Sequence, residues 1–156
     1  MEQISKAYFS PGDDCFNAVK QYLENAKTSL QICVFTISDN RISEIIKDLY
    51  HGGIDLRIIT DNDKRFDEGS DIESLLKTGV RIKADDSNQH MHHKFAIIDN
   101  KIVLTGSFNW TRSASKVNYE NMLVINHINT VNQYIIEFEK LWNKFNHISL
   151  NNNIKS

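Results

Sequence analysis

His92 and Lys94 are the residues of this chain whose types and spacing best suit chemistry. They lie in His90-Met91-His92-His93-Lys94-Phe95-Ala96-Ile97-Ile98-Asp99. In an extended strand, residues two apart share a face. The pattern therefore puts His92 and Lys94 on one face and His93, Phe95 and Ile97 on the other. An imidazole beside an ammonium suits an anionic substrate. The lysine binds a non-bridging phosphate oxygen and favours the neutral imidazole, which is the nucleophilic form. Downstream come Gly106-Ser107-Phe108-Asn109-Trp110-Thr111 and then Glu120. If the next apolar run folds back on the first, Ser107 and Asn109 arrive near Lys94 with a hydroxyl and an amide for phosphate oxygens. Glu120 is expected to accept a hydrogen bond from the second nitrogen of His92 and so fix its tautomer. Asp99 has the opposite parity to His92 and Lys94 and sits at a turn. It is expected to cap that turn and support the site without touching substrate.

Two other readings of these residues compete with this one. A metal cluster of His90, His92 and His93 fails on geometry, since adjacent strand residues face opposite ways and Lys94 repels a cation. A structural histidine leaves Lys94 on the same face, and the Gly-Ser-Phe-Asn-Trp-Thr run, unexplained. No metal and no cofactor are expected. His90, His51, His127 and His147 read as loop residues.

The elements that must position these groups alternate. Short runs rich in Ile, Val and Phe read as strands at 7–10, 29–37, 55–60, 80–83, 93–98, 102–105 and 121–126. Helical patterns fill 15–26, 41–50, 72–76 and 131–145. In the last, Tyr134, Ile135, Phe138, Leu141, Trp142 and Phe145 form one apolar stripe, which reads as core packing. Asp99-Asn100-Lys101 between two apolar runs reads as a tight hairpin. The prediction is one α/β domain over 1–148, with a mixed sheet flanked by helices on both faces, and a polar tail at 149–156 that frays.

Bulk properties narrow the function classes. The formal net charge of −2 neither invites nor excludes an anionic partner. No apolar run approaches the roughly 20 residues that span a bilayer. The first six residues lack a signal-peptide pattern, which points to the cytoplasm. Cys15 and Cys33 have no metal or disulfide spacing, and Cys33 reads as a small buried side chain.

His92-x-Lys94-x4-Asp99 followed by Gly106-Ser107-Phe108-Asn109 resembles the signature of the phospholipase D superfamily. Tyr119-Glu120-Asn121 and the strand before Ile37 fit as well, so the resemblance covers nearly the whole chain. One copy of the motif is present, as in the single-motif branch of bacterial endonucleases and the related mitochondrial cardiolipin hydrolase/Zucchini nucleases. The resemblance implies that two chains pair to form one site. His92 of one attacks phosphorus, giving a phosphohistidine, and His92 of the other protonates the leaving oxygen. Chemistry favours the same arrangement, because in-line displacement needs a nucleophile and an acid on opposite sides of phosphorus, and a two-fold dimer supplies both. By the same matching, Lys94, Ser107 and Asn109 bind the phosphate and Glu120 orients His92. The lack of a cysteine-histidine zinc finger and of a membrane anchor favours the plain bacterial nuclease.

Three substrate readings follow. The first is a nuclease for DNA or RNA, with Arg112 and Lys116 holding flanking phosphates. Trp110 reads as core in preference to a stacking platform. The acid-rich stretch 61–86, if it rims the site, favours single strands over long duplex. The second is a phospholipase or cardiolipin hydrolase; no amphipathic membrane element stands out, so no stable membrane association is expected. The third is a catalytically silent nucleic-acid-binding module, against which the complete His-Lys-Ser-Asn-Glu set argues.

Overall fold

The computed structural model describes residues 2–150. One sheet has the strand order β1-β7-β6-β5-β2-β3-β4-β8. The strands are β1 (Ser5–Ser10), β2 (Ser29–Val34), β3 (Asp55–Asp61), β4 (Arg81–Asp85), β5 (Lys94–Ile98), β6 (Ile102–Gly106), β7 (Glu120–Ile125) and β8 (Asn146–His147). The helices are α1 (Asp14–Glu24), α2 (Asn40–His51), α3 (Ile72–Thr78), α4 (Arg112–Lys116) and α5 (Ile128–Lys144). Strands β2, β3 and β4 run parallel because α2 and α3 carry the chain back between them. The other pairings are antiparallel, so the sheet is mixed, as the alternation and the hairpin predict.

The central strands are apolar on both faces because both faces are covered. In β2, Leu30, Ile32 and Val34 join the core under α1 and α2, while Cys33 joins the core under α5. Cys33 is fully buried, and burial raises its thiol pKa, so it packs as an inert small side chain. Cys15 is also buried, and its thiol is raised to about 11. The predicted stripe of α5 faces the sheet: Phe138, Leu141, Trp142 and Phe145 are buried, with Tyr134 and Ile135 packed beside them. Each such large side chain stabilises the fold by roughly 1.5–3 kcal/mol when fully buried. Phe138→Ala is the single change that most directly opens this layer.

Several boundaries differ from those expected. Strand β2 stops at Val34, short of 37, and the chain then crosses to Trp110 through an isolated parallel bridge at Ile37. Strand β5 starts at Lys94, one residue later than predicted, and α5 starts at Ile128. A 3-10 turn at Asp63–Phe66, α4 and β8 were not anticipated. Helix α4 spans five residues, too short for a periodic signal. Its marker is a cap: Thr111 Oγ1 accepts from the Ala114 N–H at 3.0 Å. Of the expected tail, residues 151–156 lie outside the described residues. Before them, the Ile148 N–H donates to the Ile82 carbonyl, and the Ser149 carbonyl accepts from the Arg65 guanidinium.

Candidate active site

Lys94 opens β5 beside Val34, where β2 ends. The site thus lies outside the carboxyl ends of the parallel strands, the usual place for a ligand in an open α/β sheet. His92 and Lys94 touch: Lys94 Nζ donates to His92 Nδ1 at 2.8 Å and to the His92 carbonyl at 2.6 Å. An ammonium can only donate, so Nδ1 accepts and the ring proton sits on Nε2. The His92 ring packs on Phe35, with ring centroids 4.5 Å apart. Its pKa is lowered, first by the loss of solvation, then by the charge on Lys94, with His90 adding to the effect. Lys94 is lowered too, by burial, against the attraction of Glu120.

The β5–β6 hairpin delivers the second group of residues. Asp99 and Asn100 both have φ of 54°, and the Lys101 N–H closes on the Ile98 carbonyl at 2.9 Å. Positive φ at both central positions is what a type I′ turn requires, and Asp and Asn tolerate it. Strand β6 ends at Gly106, where a Cβ would overlap the Asn121 carbonyl oxygen of β7. Only glycine lets the chain pass β7 so closely and enter Ser107. His92, Lys94, Gly106, Ser107, Asn109 and Glu120 then line one open pocket. The Asn109 side-chain oxygen accepts from the Thr36 N–H at 3.3 Å, which leaves its amide N–H groups as free donors. The Ser107 hydroxyl donates to Glu120 Oε2 and accepts from the Asn121 N–H at 3.0 Å.

Glu120 differs from its expected role. Its carboxylate takes the Ser107 hydroxyl and, at 3.3 Å, the Asn118 amide, while His92 is held by Lys94. The reason is register: Glu120 starts β7, which lies next to β6 and its Ser107, not next to β5. Asp99 lies at the far end of β5 and outside the pocket. Its carboxylate accepts from the N–H groups of Lys27, Thr28 and Ser29 and from the Thr28 hydroxyl, at 2.7–3.1 Å. Burial raises its pKa, but these hydrogen bonds outweigh it and the net shift is downward.

Arg112 and Lys116 do not line the pocket. Arg112 lies 3.2 Å from the buried Asp39, and Lys116 lies 2.6 Å from Asp13, whose pKa it lowers. Both expected phosphate contacts lie against carboxylates that only the fold brings near, and Asp39 also holds Arg41. Trp110 is buried, which leaves no ring surface for a base.

Two features escaped the sequence reading. His90 Nδ1 lies 3.3 Å from Asp61, fully buried at the end of β3, and 3.9 Å from Asp63. These three form the one group among the described residues that brings three potential metal ligands together. It excludes His92 and His93, so it differs from a cluster of His90, His92 and His93. Asp61 also accepts the Met91 N–H at 3.0 Å, which fixes the segment leading into His92. The second feature is a cavity of about 390 Å³ on the α5 side, which shares His92, Lys94 and Gly106 with the pocket. Position at a parallel strand's carboxyl end was the available signal for Asp61; the cavity had none.

A mixed eight-stranded sheet with histidine, lysine, serine and asparagine gathered at its strand ends defines a phospholipase D-like domain. Residues 19–142 match the family described as "Cardiolipin synthase, PLD-like domain", and the chain belongs to that family. A mitochondrial cardiolipin hydrolase of Chlamydomonas reinhardtii is 44% identical over 80% of this chain and 56% of that protein. The Homo sapiens protein of the same name is 35% identical over 86% of this chain and 54% of its own length. The chain thus spans about half the length of these two relatives. Among solved structures, Nuc from Salmonella typhimurium, a phospholipase D family member, superposes with TM-score 0.87 at 24% identity, covering 95% of this chain and 99% of that one. NucT from Helicobacter pylori gives TM-score 0.84 at 27% identity, covering 94% and 100%. The cytoplasmic expectation is overturned by these relatives, which carry mitochondrial names. That expectation rested on the first six residues, two of which, Ser5 and Lys6, open strand β1 and serve the sheet, not an address. Among the described residues, no helix is long and apolar enough to cross a membrane.

Proposed function

We propose that the chain is a metal-independent phosphodiesterase, an endonuclease for single-stranded DNA or RNA that works as a homodimer through a phosphohistidine. The observation that carries this reading is the pocket: one imidazole, one ammonium and the Asn109 amide donors converge, with one carboxylate already tied to Ser107. Bound phosphate attracts the Lys94 ammonium away from His92 Nδ1. The ring proton can then move to Nδ1 and leave Nε2 free to attack phosphorus. The P–O bond to the leaving group breaks as the N–P bond forms, and a second imidazole gives its proton to the departing oxygen. Water then attacks the phosphohistidine, losing a proton to that second imidazole, and His92 is released.

The second imidazole is the argument for a dimer. His90 and His93 are close in sequence, but His90 Nδ1 is turned onto Asp61 and His93 Nε2 lies 4.0 Å from Glu137. A second copy supplies an opposed His92. Large exposed apolar residues stand at the β1–β7 edge beside Glu120, with Tyr119 91% exposed and Phe9 and Val117 also open. They offer a surface for that copy. Sedimentation of the purified chain tests this; an active monomer rejects it.

A second reading is supported by the names of the curated relatives: hydrolysis of cardiolipin, in a mitochondrial setting. Single- and double-stranded DNA, RNA, cardiolipin vesicles and bis(p-nitrophenyl) phosphate, each incubated with the chain and EDTA, separate the two. Cleavage of single strands is the expected outcome. Turnover of cardiolipin alone establishes the second reading.

A further inference from the structure

We infer that the cavity between β5 and α5 is a nucleobase subsite, selective for a base that presents N–H donors, guanine above all. This rests on the nuclease reading of the adjoining pocket. The cavity opens directly beside His92 and Lys94, so a nucleotide whose phosphate lies against Lys94 has its base within reach of it. Its volume of about 390 Å³ falls in the range of small-ligand sites. The outer wall is one face of α5, since Gln133, Tyr134 and Glu137 are spaced by three and four residues.

The chemistry of that wall is that of a base reader. The Tyr134 ring is fixed by its hydroxyl, which donates to Thr105 Oγ1 at 3.0 Å, and by an edge contact with Phe95 at 4.9 Å. It provides an immobile aromatic surface at little entropic cost. Glu137 Oε2 holds Lys140 at 3.2 Å, and Oε1 lies 4.0 Å from His93 Nε2. A carboxylate has about four acceptor sites, so capacity for two further donors remains. Guanine offers N1–H and N2–H side by side. Uracil and thymine offer one N–H between two carbonyl oxygens, which a carboxylate repels. Gln133, exposed at the rim, can donate or accept. The acid also disfavours a leaving group that carries a second phosphate, as a cardiolipin fragment does. A base reaches the cavity only when unstacked, which suits single strands.

The test is cleavage-site mapping on single-stranded oligonucleotides that vary the base beside each phosphodiester, using the full chain with EDTA. Wild type is expected to cut next to guanine about tenfold faster than next to uracil or thymine, the size of one bidentate base contact. In Glu137→Gln that ratio falls below about twofold, because the amide puts a donor against donors. Gln133→Ala, at an exposed position that cannot collapse the fold, lowers the ratio by a smaller factor. Ratios within one protein are independent of how much of it is active. Equal cutting beside all four bases, or an unchanged ratio in Glu137→Gln, overturns the subsite and leaves the nuclease reading standing. Turnover of cardiolipin with no oligonucleotide cut overturns both.

Discussion

Strand β5 begins at Lys94, whose ammonium touches His92 in an open pocket, and it ends beside Asp99, whose carboxylate gathers three backbone N–H groups and a hydroxyl. These two ends carry the three defining residues of one contiguous motif. At the first end the polar groups keep unused capacity: His92 and Asn109 line the pocket, and among the described residues His92 Nε2 and the Asn109 amide nitrogen have no hydrogen-bond partner. At the other end the carboxylate's capacity is spent on the protein itself. Groups with free valence can act on a substrate. A saturated carboxylate can only hold the hairpin that carries β6, Gly106 and Ser107 to the site. A motif read as a single catalytic unit is therefore a reactive end and a structural end, joined by a buried strand.

Substitutions can separate the ends. His92→Ala should lower cleavage by about 10⁴-fold or more, as loss of a nucleophile does elsewhere. Its melting midpoint should stay close to wild type, because the side chain is exposed. Full cleavage by the purified variant would falsify the assignment. Lys94→Met should cost about 10²–10³-fold, the usual loss for one charge-stabilising donor. It should also raise the His92 titration midpoint. The sign follows from the causes: burial first, then the Lys94 charge, hold wild-type His92 below the ordinary imidazole range, and removing Lys94 lifts the second of these. An NMR titration of the ring reads this without any turnover.

At the other end, Asp99→Asn keeps a residue that accepts positive φ but removes the charge. We expect a stability loss of about 1.5–3 kcal/mol, the range for hydrogen bonds to a charged group. A denaturant titration measures it, and activity per folded molecule should be nearly unchanged. Because the folded-state pKa of Asp99 is depressed, its contribution is fully present above the unfolded value near 4 and disappears as pH falls through the folded one. A variant whose stability deficit is constant from pH 7 down to pH 2 contradicts this role. The smallest effect is expected from EDTA, which should leave the rate unchanged. Strict dependence on an added divalent ion would instead draw attention to Asp61, Asp63 and His90.

Much of this was legible in the sequence. The apolar runs and the Asp99-Asn100-Lys101 turn are local signals, and local signals report local structure. Parity alone put His92 with Lys94 and set Asp99 apart, because side chains alternate along any strand whatever its neighbours do. The α5 stripe announced a core face, since such a helix must bury it. The G-S-x-N run was readable as a phosphate-binding turn for the same reason: the hairpin brings it back to the strand it follows.

Sheet order was not legible, and it decided the partners. Glu120 meets Ser107 because β7 pairs with β6. Arg112 and Lys116 lie against Asp39, which also holds Arg41, and Asp13, both remote from them in sequence. Glu137 reaches the site because α5 crosses the face of β5 and β6. Asp61 reaches His90 because β3 ends beside β2. The chemistry of His92 beside Lys94 was thus determined by the sequence, because residues two apart in extended chain share a face. Which groups surround that pair, and so which substrate it can receive, was decided by the tertiary structure, since contacts between distant segments arise only from packing the whole sheet.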